Sequence, residues 1–340
     1  MFHMVKKVGF AAIAVSALAA AATHASAQEL TKLKYLLHFA PSAIELPVYY
    51  AKEMGYFKDE GLDVEIMPGK SSQDSVNALV AGSAFIASAQ GSSVIQGASK
   101  GLPVVMVASR YGLNPSGLFT DKSISSLAQM NGKQIAVPFS TLEKIVRYMI
   151  KSAGADPESN KYVLVPQLSA MVNTFAEDKV DSVITTVPFG KGIIGKRRDY
   201  NLFLLSDYGV TDPGYVYITS QKNLDENPKL IRAFLKAVYR GYANVDKDME
   251  KAAEITAKAL SGASVDFVKT YYARYAEFSC SKEQMGKARG YIPVKDLKKA
   301  IDLFVETGII KNSVDANKLA TNRFFEGPDA IADTARCGGS

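Results

Sequence analysis

From residue 32 the chain alternates between period-two and helical patterns, and after the Gly-, Asn- and Pro-containing stretch RYGLNPSG the same alternation begins again. KLKYLLHF has the character of a strand, and AIELPVYYAKEMG that of a helix ended by Gly55 in a left-handed turn, where glycine carries no Cβ penalty. LDVEI alternates strictly, with Leu62, Val64 and Ile66 on one face. A helix (SQDSVNALVAG), a strand (AFIASA), a helix (SSVIQGASKG) and a strand (PVVMVAS) complete the first run. The second run is GKQIAVP (strand), STLEKIVRYMIKSAG (helix), YVLVP (strand), SAMVNTFAEDK (helix) and DSVITTVPF (strand). This rhythm means crossover units and mostly parallel sheets, so the expected fold class is α/β with two lobes.

The first 27 residues stand outside that pattern. MFHMVKK is basic, VGFAAIAVSALAAAA is apolar and THASA ends small-x-small, the order of a secretory signal peptide cleaved after Ala27. The apolar part is shorter than the roughly 20 residues a membrane span needs. Loss of Lys6 and Lys7 with the leader lowers the formal charge from +6 to +4, too mild and too evenly spread for a nucleic-acid partner. About 310 remaining residues exceed one compact core, which again asks for two lobes.

TDPGYVYITS alternates as a further strand, and from Pro228 the pattern is mainly helical. Leu230, Ile231, Phe234, Leu235, Val238 and Tyr242 recur at helical spacing and form a core face. Cys280 and Cys337 are the two cysteines; in an oxidising compartment they form one bridge or stay two thiols, since spacing alone does not give their separation. With the leader removed His38 is the single histidine, and no paired-ligand spacing supports a metal or cofactor.

In open α/β sheets ligands bind beyond the carboxyl ends of the strands. That rule selects the loops HFAPS, AQGSS, SRYG, PFSTLE and TTVPFG. In STLE, Ser140 is placed to cap the next helix with Glu143 reaching back, and the free amides of such a start favour an anion or polar group. Gln90, Gly91 and Ser92 form the analogous start in the first run. Phe39 and Tyr111 are positioned either to stack on a ligand or to close the core, and His38 either to line the pocket or to sit as a structural histidine. Arg110, just past a strand, is placed to grip a sulfonate or carboxylate in a bidentate way, whereas Arg147 lies two turns into a helix and faces solvent. No nucleophile elbow or phosphate-binding glycine loop is present, which argues against catalysis.

AKEMGYFKDEGLDVEI resembles the AkekGYFkeeGLdVe segment of periplasmic solute-binding proteins of the nitrate, sulfonate, taurine and thiamine-pyrimidine group of ABC transporters. ALVAG, ASKGLPVVMVAS, LAQMNGKQIAVP, EDKVDSVITTVP and ENPKLIRAFLKAVYRG follow in that family's order. The resemblance implies a two-lobed, type II-like periplasmic-binding-protein clamp. Lobe 1 would be residues 29–113 with 214–340 and lobe 2 residues 114–213, hinged at crossing segments near 110–118 and 208–216. It also implies a monomer in the periplasm that closes on a small solute and docks on an inner-membrane ABC permease. Two departures stand out. Phe85 occupies a position that is often acidic, while Asp181 keeps the acid in the second lobe, and Phe39-Ala40-Pro41-Ser42 stands where Trp-x-Pro-Asn is common.

The first expectation for the solute is a small organic anion of the sulfonate, taurine or nitrate kind. Ser42, Gln90, Gly91, Ser92, Ser140, Thr141, Thr185 and Thr186 would supply polar contacts and Arg110 the countercharge. The second is a pyrimidine or aromatic acid stacked on Phe39 or Tyr111. Thiamine-pyrimidine synthases share the Gly-Tyr-Phe segment, but their active-site histidine aligns with Glu45 and their cysteine-rich run with DPGYVYITS, which has no cysteine. A sensor in place of a permease would use the same clamp.

Overall fold

The structure, a computed structural model, describes Met1 and residues 29–195, 197–328, 330–332 and 334–338; the expected leader and its cleavage point lie outside the described residues. The first run folds as β1 (Thr31–Leu36), α1 (Leu46–Glu53), α2 (Tyr56–Asp59), β2 (Leu62–Met67), α3 (Ser72–Val80), β3 (Ile86–Gln90), α4 (Gly91–Ser99) and β4 (Val104–Tyr111). Gly55 adopts φ 76°, the left-handed conformation the pattern asks for, but a single helical turn, α2, intervenes before β2. That turn buries Tyr56 and Phe57.

The second run comprises β5 (Ser116–Asp121), β6 (Gln134–Val137), α5 (Ser140–Ser152), β7 (Lys161–Leu164), α6 (Leu168–Ala176), β8 (Ser182–Thr186), α7 (Val187–Ile194) and β9 (Tyr200–Leu204). The sequence pattern misses β5 and β9, and it extends β8 too far. Pro188 lies in the first turn of α7, where its missing N–H costs nothing, so the strand stops at Thr186 and a helix follows.

β10 (Tyr215–Ser220) then leads into α8 (Gln221–Glu226), α9 (Pro228–Val245), α10 (Met249–Ala259), α11 (Val265–Ala276), α12 (Val294–Glu306) and α13 (Ala316–Leu319). Five of the six residues expected on the core face of α9 are buried, and Leu230 is partly so. Phe234 packs on Tyr35, Phe57 and Tyr217 with ring centroids 5.2, 5.4 and 5.8 Å away. Burying such a ring contributes about 1.5–3 kcal/mol.

The strands form two mixed sheets, ordered β2-β1-β3-β10-β4 and β7-β6-β8-β5-β9. Each takes one antiparallel strand, and each such strand follows a passage of the chain between sheets. β5 inserts between β8 and β9, while β10 returns to lie between β3 and β4, with Tyr215 opposite both Gln90 and Tyr111. Cys280 and Cys337 are joined in a disulfide. Among the described residues, no helix is long and apolar enough to cross a membrane, and no group of His, Cys, Asp or Glu could hold a metal ion.

Candidate functional site

The carboxyl ends of the parallel strands of both sheets converge. The Thr141 hydroxyl, in the first turn of α5, lies 3.5 Å from Gln96 Oε1 on α4, and the Tyr275 hydroxyl on α11 donates to Thr186 Oγ1 at 3.3 Å. These contacts bring the starts of α5 and α7 against α4 and α11, so the loops that lead off β1, β3, β6 and β8 stand along the junction of the two sheets, where a ligand cleft is expected.

The β1 loop is anchored by the His38 N–H, which donates to Ser88 Oγ at 3.0 Å, and by the Gly69 N–H, which donates to the Phe39 carbonyl at 3.0 Å. Gly69 is required there, because a Cβ would meet the Leu37 carbonyl oxygen at 1.8 Å. With its backbone held, Phe39 turns outward and is 55% exposed. Ser42 is half-buried and precedes a one-turn helix, Ala43–Glu45, without capping it.

Beneath this loop lies a buried polar cluster. Arg110 Nη1 donates to Glu45 Oε1 at 2.9 Å, Arg110 Nη2 donates to the Ile44 carbonyl at 3.2 Å, and the Tyr35 hydroxyl donates to Glu45 Oε2 at 3.1 Å. Burial alone would raise the Glu45 carboxyl, but Arg110 and His38 outweigh it and hold the group below its ordinary range. The guanidinium is fully buried and engaged, which corrects its placement as an open countercharge for solute. Tyr111 is corrected as a stacking surface as well. It is fully buried, its hydroxyl donates to the Ile44 carbonyl, and its ring supports Tyr215 and Tyr275 at 6.1 and 5.5 Å.

The start of α4 is closed from within the chain. The Gly91 N–H donates to the Pro213 carbonyl at 3.2 Å, and the Ser92 N–H faces the Asp212 carboxylate. Asp212 is buried, and Asn114 Nδ2 donates to its two carboxylate oxygens at 3.2 and 3.1 Å. Burial pushes its carboxyl up to about 6, against the pull of these hydrogen bonds. Asn114 and Asp212 belong to the two passages between the sheets, so one amide and one carboxylate tie them together. Gln90 remains half-buried, and its Nε2 donates to the Tyr215 hydroxyl at 3.4 Å.

On the second sheet, Thr185 is buried and Thr186 half-buried, Ser140 is exposed and Thr141 half-buried. The expected capping box does not form. Phe139 is the N-cap of α5, in extended conformation and without a side-chain cap, and Glu143 instead pairs with Arg147 Nε at 2.9 Å. Arg147 also reaches Glu158 at 2.8 Å and lies over the Tyr162 ring, so it is a surface brace and not a free cation.

Residues that sequence reasoning passes over are candidates as well. Phe139 is 49% exposed at the end of β6, and Leu164 and Leu168 are exposed at the end of β7. Tyr215 packs against His38 at 4.6 Å and Tyr275 at 6.4 Å, with Tyr271 on the same cluster. Phe139 was findable, since it sits inside the selected loop PFSTLE; the tyrosines were not, because α11 lies about 50 residues beyond β10 in sequence. A cavity of about 1080 Å³ lies elsewhere. It opens at the amino ends of the first sheet's strands, by Lys32, Lys34, Asp63, Glu65 and Phe85, away from every loop named above.

Residues 44–252 match the family described as NMT1/THI5 like. The chain is 28% identical over 254 residues to the formylaminopyrimidine-binding protein of Halalkalibacterium halodurans, covering 72% of this chain and 76% of the relative. It is 22% identical over 301 residues to the 4-amino-5-hydroxymethyl-2-methylpyrimidine phosphate synthase of Legionella pneumophila, covering 87% and 92%. Among solved structures, the periplasmic aliphatic sulphonate binding protein SsuA from Escherichia coli aligns with a TM-score of 0.67 at 13% identity, covering 91% of this chain and 94% of that one, a likeness of fold alone.

Proposed function

The chain belongs to the NMT1/THI5-like family, and from that premise we propose that it is an exported, non-catalytic solute-binding protein of an ABC importer whose solute is an uncharged planar heteroaromatic ring of the pyrimidine kind. The lobes are residues 29–113 with 214–340 and residues 114–213, and the solute closes them by contacting both. Docking of the closed form on an inner-membrane permease is the output.

One observation carries the choice of solute. Phe39 in the β1 loop, Phe139 at the end of β6 and Leu164 and Leu168 at the end of β7 are exposed, while Arg110 is buried against Glu45. As the rim of a cleft, such apolar and aromatic side chains suit a ring that buries its faces, and an inorganic or sulfonate anion would find no countercharge at Arg110. The order of the two expected solute classes is thereby reversed. The formylaminopyrimidine-binding relative supports the same reading.

The synthase reading finds less support. Glu45, which aligns with the histidine of those enzymes, is fully buried and held by Arg110 and Tyr35, out of reach of a reacting group. A thermal-shift screen of aminopyrimidines against alkanesulfonates tests the proposal. A ligand at 100 times its Kd stabilises the folded state by about 2.7 kcal/mol, a readily measured rise in Tm. Shifts with the sulfonates and none with the rings would sink the ring reading.

A further inference from the structure

We propose that His38 sets solute choice in the cleft by presenting a fixed hydrogen-bond acceptor, Nε2, so that the ring it admits carries an N–H donor, as an aminopyrimidine does; the solute half of this inference rests on the ring reading above. The imidazole is held on three sides. The His38 backbone N–H is tied to Ser88 Oγ, its ring centroid lies 4.6 Å from that of Tyr215 in a tilted contact, and its Nδ1 edge faces Glu45 Oε1 at 3.7 Å. Nδ1 is fully buried without a hydrogen-bond partner, yet the side chain keeps 13% of its surface open, so the edge that reaches the cleft is the Nε2 edge.

The proton position follows from the neighbours. Glu45 is ionised, fixed by Arg110 and Tyr35, and a bare Nδ1 lone pair pointed at that carboxylate would be repelled. An N–H at Nδ1 is attracted. Burial lowers the His38 pKa more than Glu45 restores it, so the ring is neutral at pH 7 and carries its one proton on Nδ1. Nε2 is then left with a lone pair. A solute amino group meets an acceptor there, whereas an oxo group or a sulfonate oxygen meets a second lone pair and is rejected, because a buried polar contact with the wrong partner costs more than a missing one.

Two measurements test this. In the full chain carrying His3→Gln and His24→Gln, His38 is the one histidine, and the 15N shifts and two-bond couplings of its ring report the tautomer without any ligand or folding-sensitive substitution at the site. A proton on Nδ1 is expected, and a proton on Nε2 overturns the inference. By calorimetry, the same chain should bind 4-amino-2-methylpyrimidine at least ~10-fold more tightly than 4-methoxy-2-methylpyrimidine, which has no N–H, the worth of one well-placed hydrogen bond. His38→Gln, whose amide offers either a donor or an acceptor, should compress that ratio to ~3-fold or less. An unchanged ratio in His38→Gln, or equal binding of both rings by the unsubstituted chain, overturns the role of His38 alone. Binding of neither ring overturns the ring reading and the solute half of this inference with it.

Discussion

Arg110 and Glu45 form a 2.9 Å ion pair in which neither side chain reaches solvent. The pair joins the end of β4 to the turn after β1, and it also fixes the carboxylate that His38 faces. Removing one member strands the other as a buried charge, and breaking such a pair costs about 3–5 kcal/mol. Glu45→Gln and Arg110→Met should each lower the unfolding free energy obtained from urea titration by that order, while Glu45→Leu with Arg110→Met together should cost less than the sum. A double variant as unstable as the two singles added would show that the two side chains act independently.

The rim aromatics and the core aromatics should separate cleanly. Phe57 is 2% exposed and stacks on Phe234, so Phe57→Ala should cost about 3–5 kcal/mol of stability. Phe39→Ala and Phe139→Ala remove exposed rings and should change stability by about 0.5 kcal/mol or less. Ring-solute affinity should nevertheless fall roughly 10-fold in each, since a bound ring loses one stacking face. Denaturation and calorimetry on the three variants distinguish the roles, and a Phe39→Ala protein with unchanged affinity would remove that residue from the site.

Asp212 gives the hinge a specific pH dependence. Its carboxyl titrates near 6 when folded, above its ordinary value of 3.8. Between those values the folded state holds a proton that the unfolded chain has released, so the contribution of this group to stability rises as pH falls through the window. Above pH 6 both states are ionised and the cost of the buried charge is fully present, on the order of 2–3 kcal/mol. Asp121 and Glu45, whose carboxyls are shifted down, slope the opposite way, so the group must be isolated by difference. Relative to the unsubstituted protein, Asp212→Asn should be more stable by an amount that is greatest above pH 6.5 and shrinks steadily toward pH 4. A pH-independent difference would mean that Asp212 is solvated in the folded protein.

The alternation of strands and helices was legible because buried faces repeat every two or about 3.6 residues, and Leu62, Val64 and the α9 face show it directly. β5 and β9 escaped because Ser116 and Gly117 open one and polar Asn201 interrupts the other, while their antiparallel pairing to each other is a matter of topology. Gly55 was readable as punctuation, since its conformation is local. The site was less so. Arg110 finds its partner 65 residues earlier in the chain, and Ser140 has no capping role because α5 starts one residue sooner, with Phe139 as N-cap, while Glu143 pairs with Arg147 one turn on. Candidate loops follow from strand order, but whether a side chain in them faces solvent or a buried partner depends on residues far away in sequence.

The disulfide should act on the hinge as well as on stability. Cys280 and Cys337 close a loop with a sequence separation of 57, which in the chain-entropy account is worth about 4 kcal/mol through restriction of the unfolded chain. The residues just before Cys280 also brace the first passage between the sheets, because the Gly112 and Leu113 N–H groups donate to the carbonyls of Ser279 and Phe278 at 3.0 and 3.1 Å. Gly112 has no room for a side chain there: a Cβ would lie 1.6 Å from Gln284 Oε1, whose own position is fixed by hydrogen bonds with the Ser281 N–H and the Tyr291 carbonyl. Cys280→Ser with Cys337→Ser should therefore lower Tm and also speed hydrogen exchange at Gly112 and Leu113, whereas exchange in the second sheet at Ile135 and Val183 should change only as global stability does. If the passage amides keep their protection relative to those core amides, the bridge stabilises the chain without bracing the hinge.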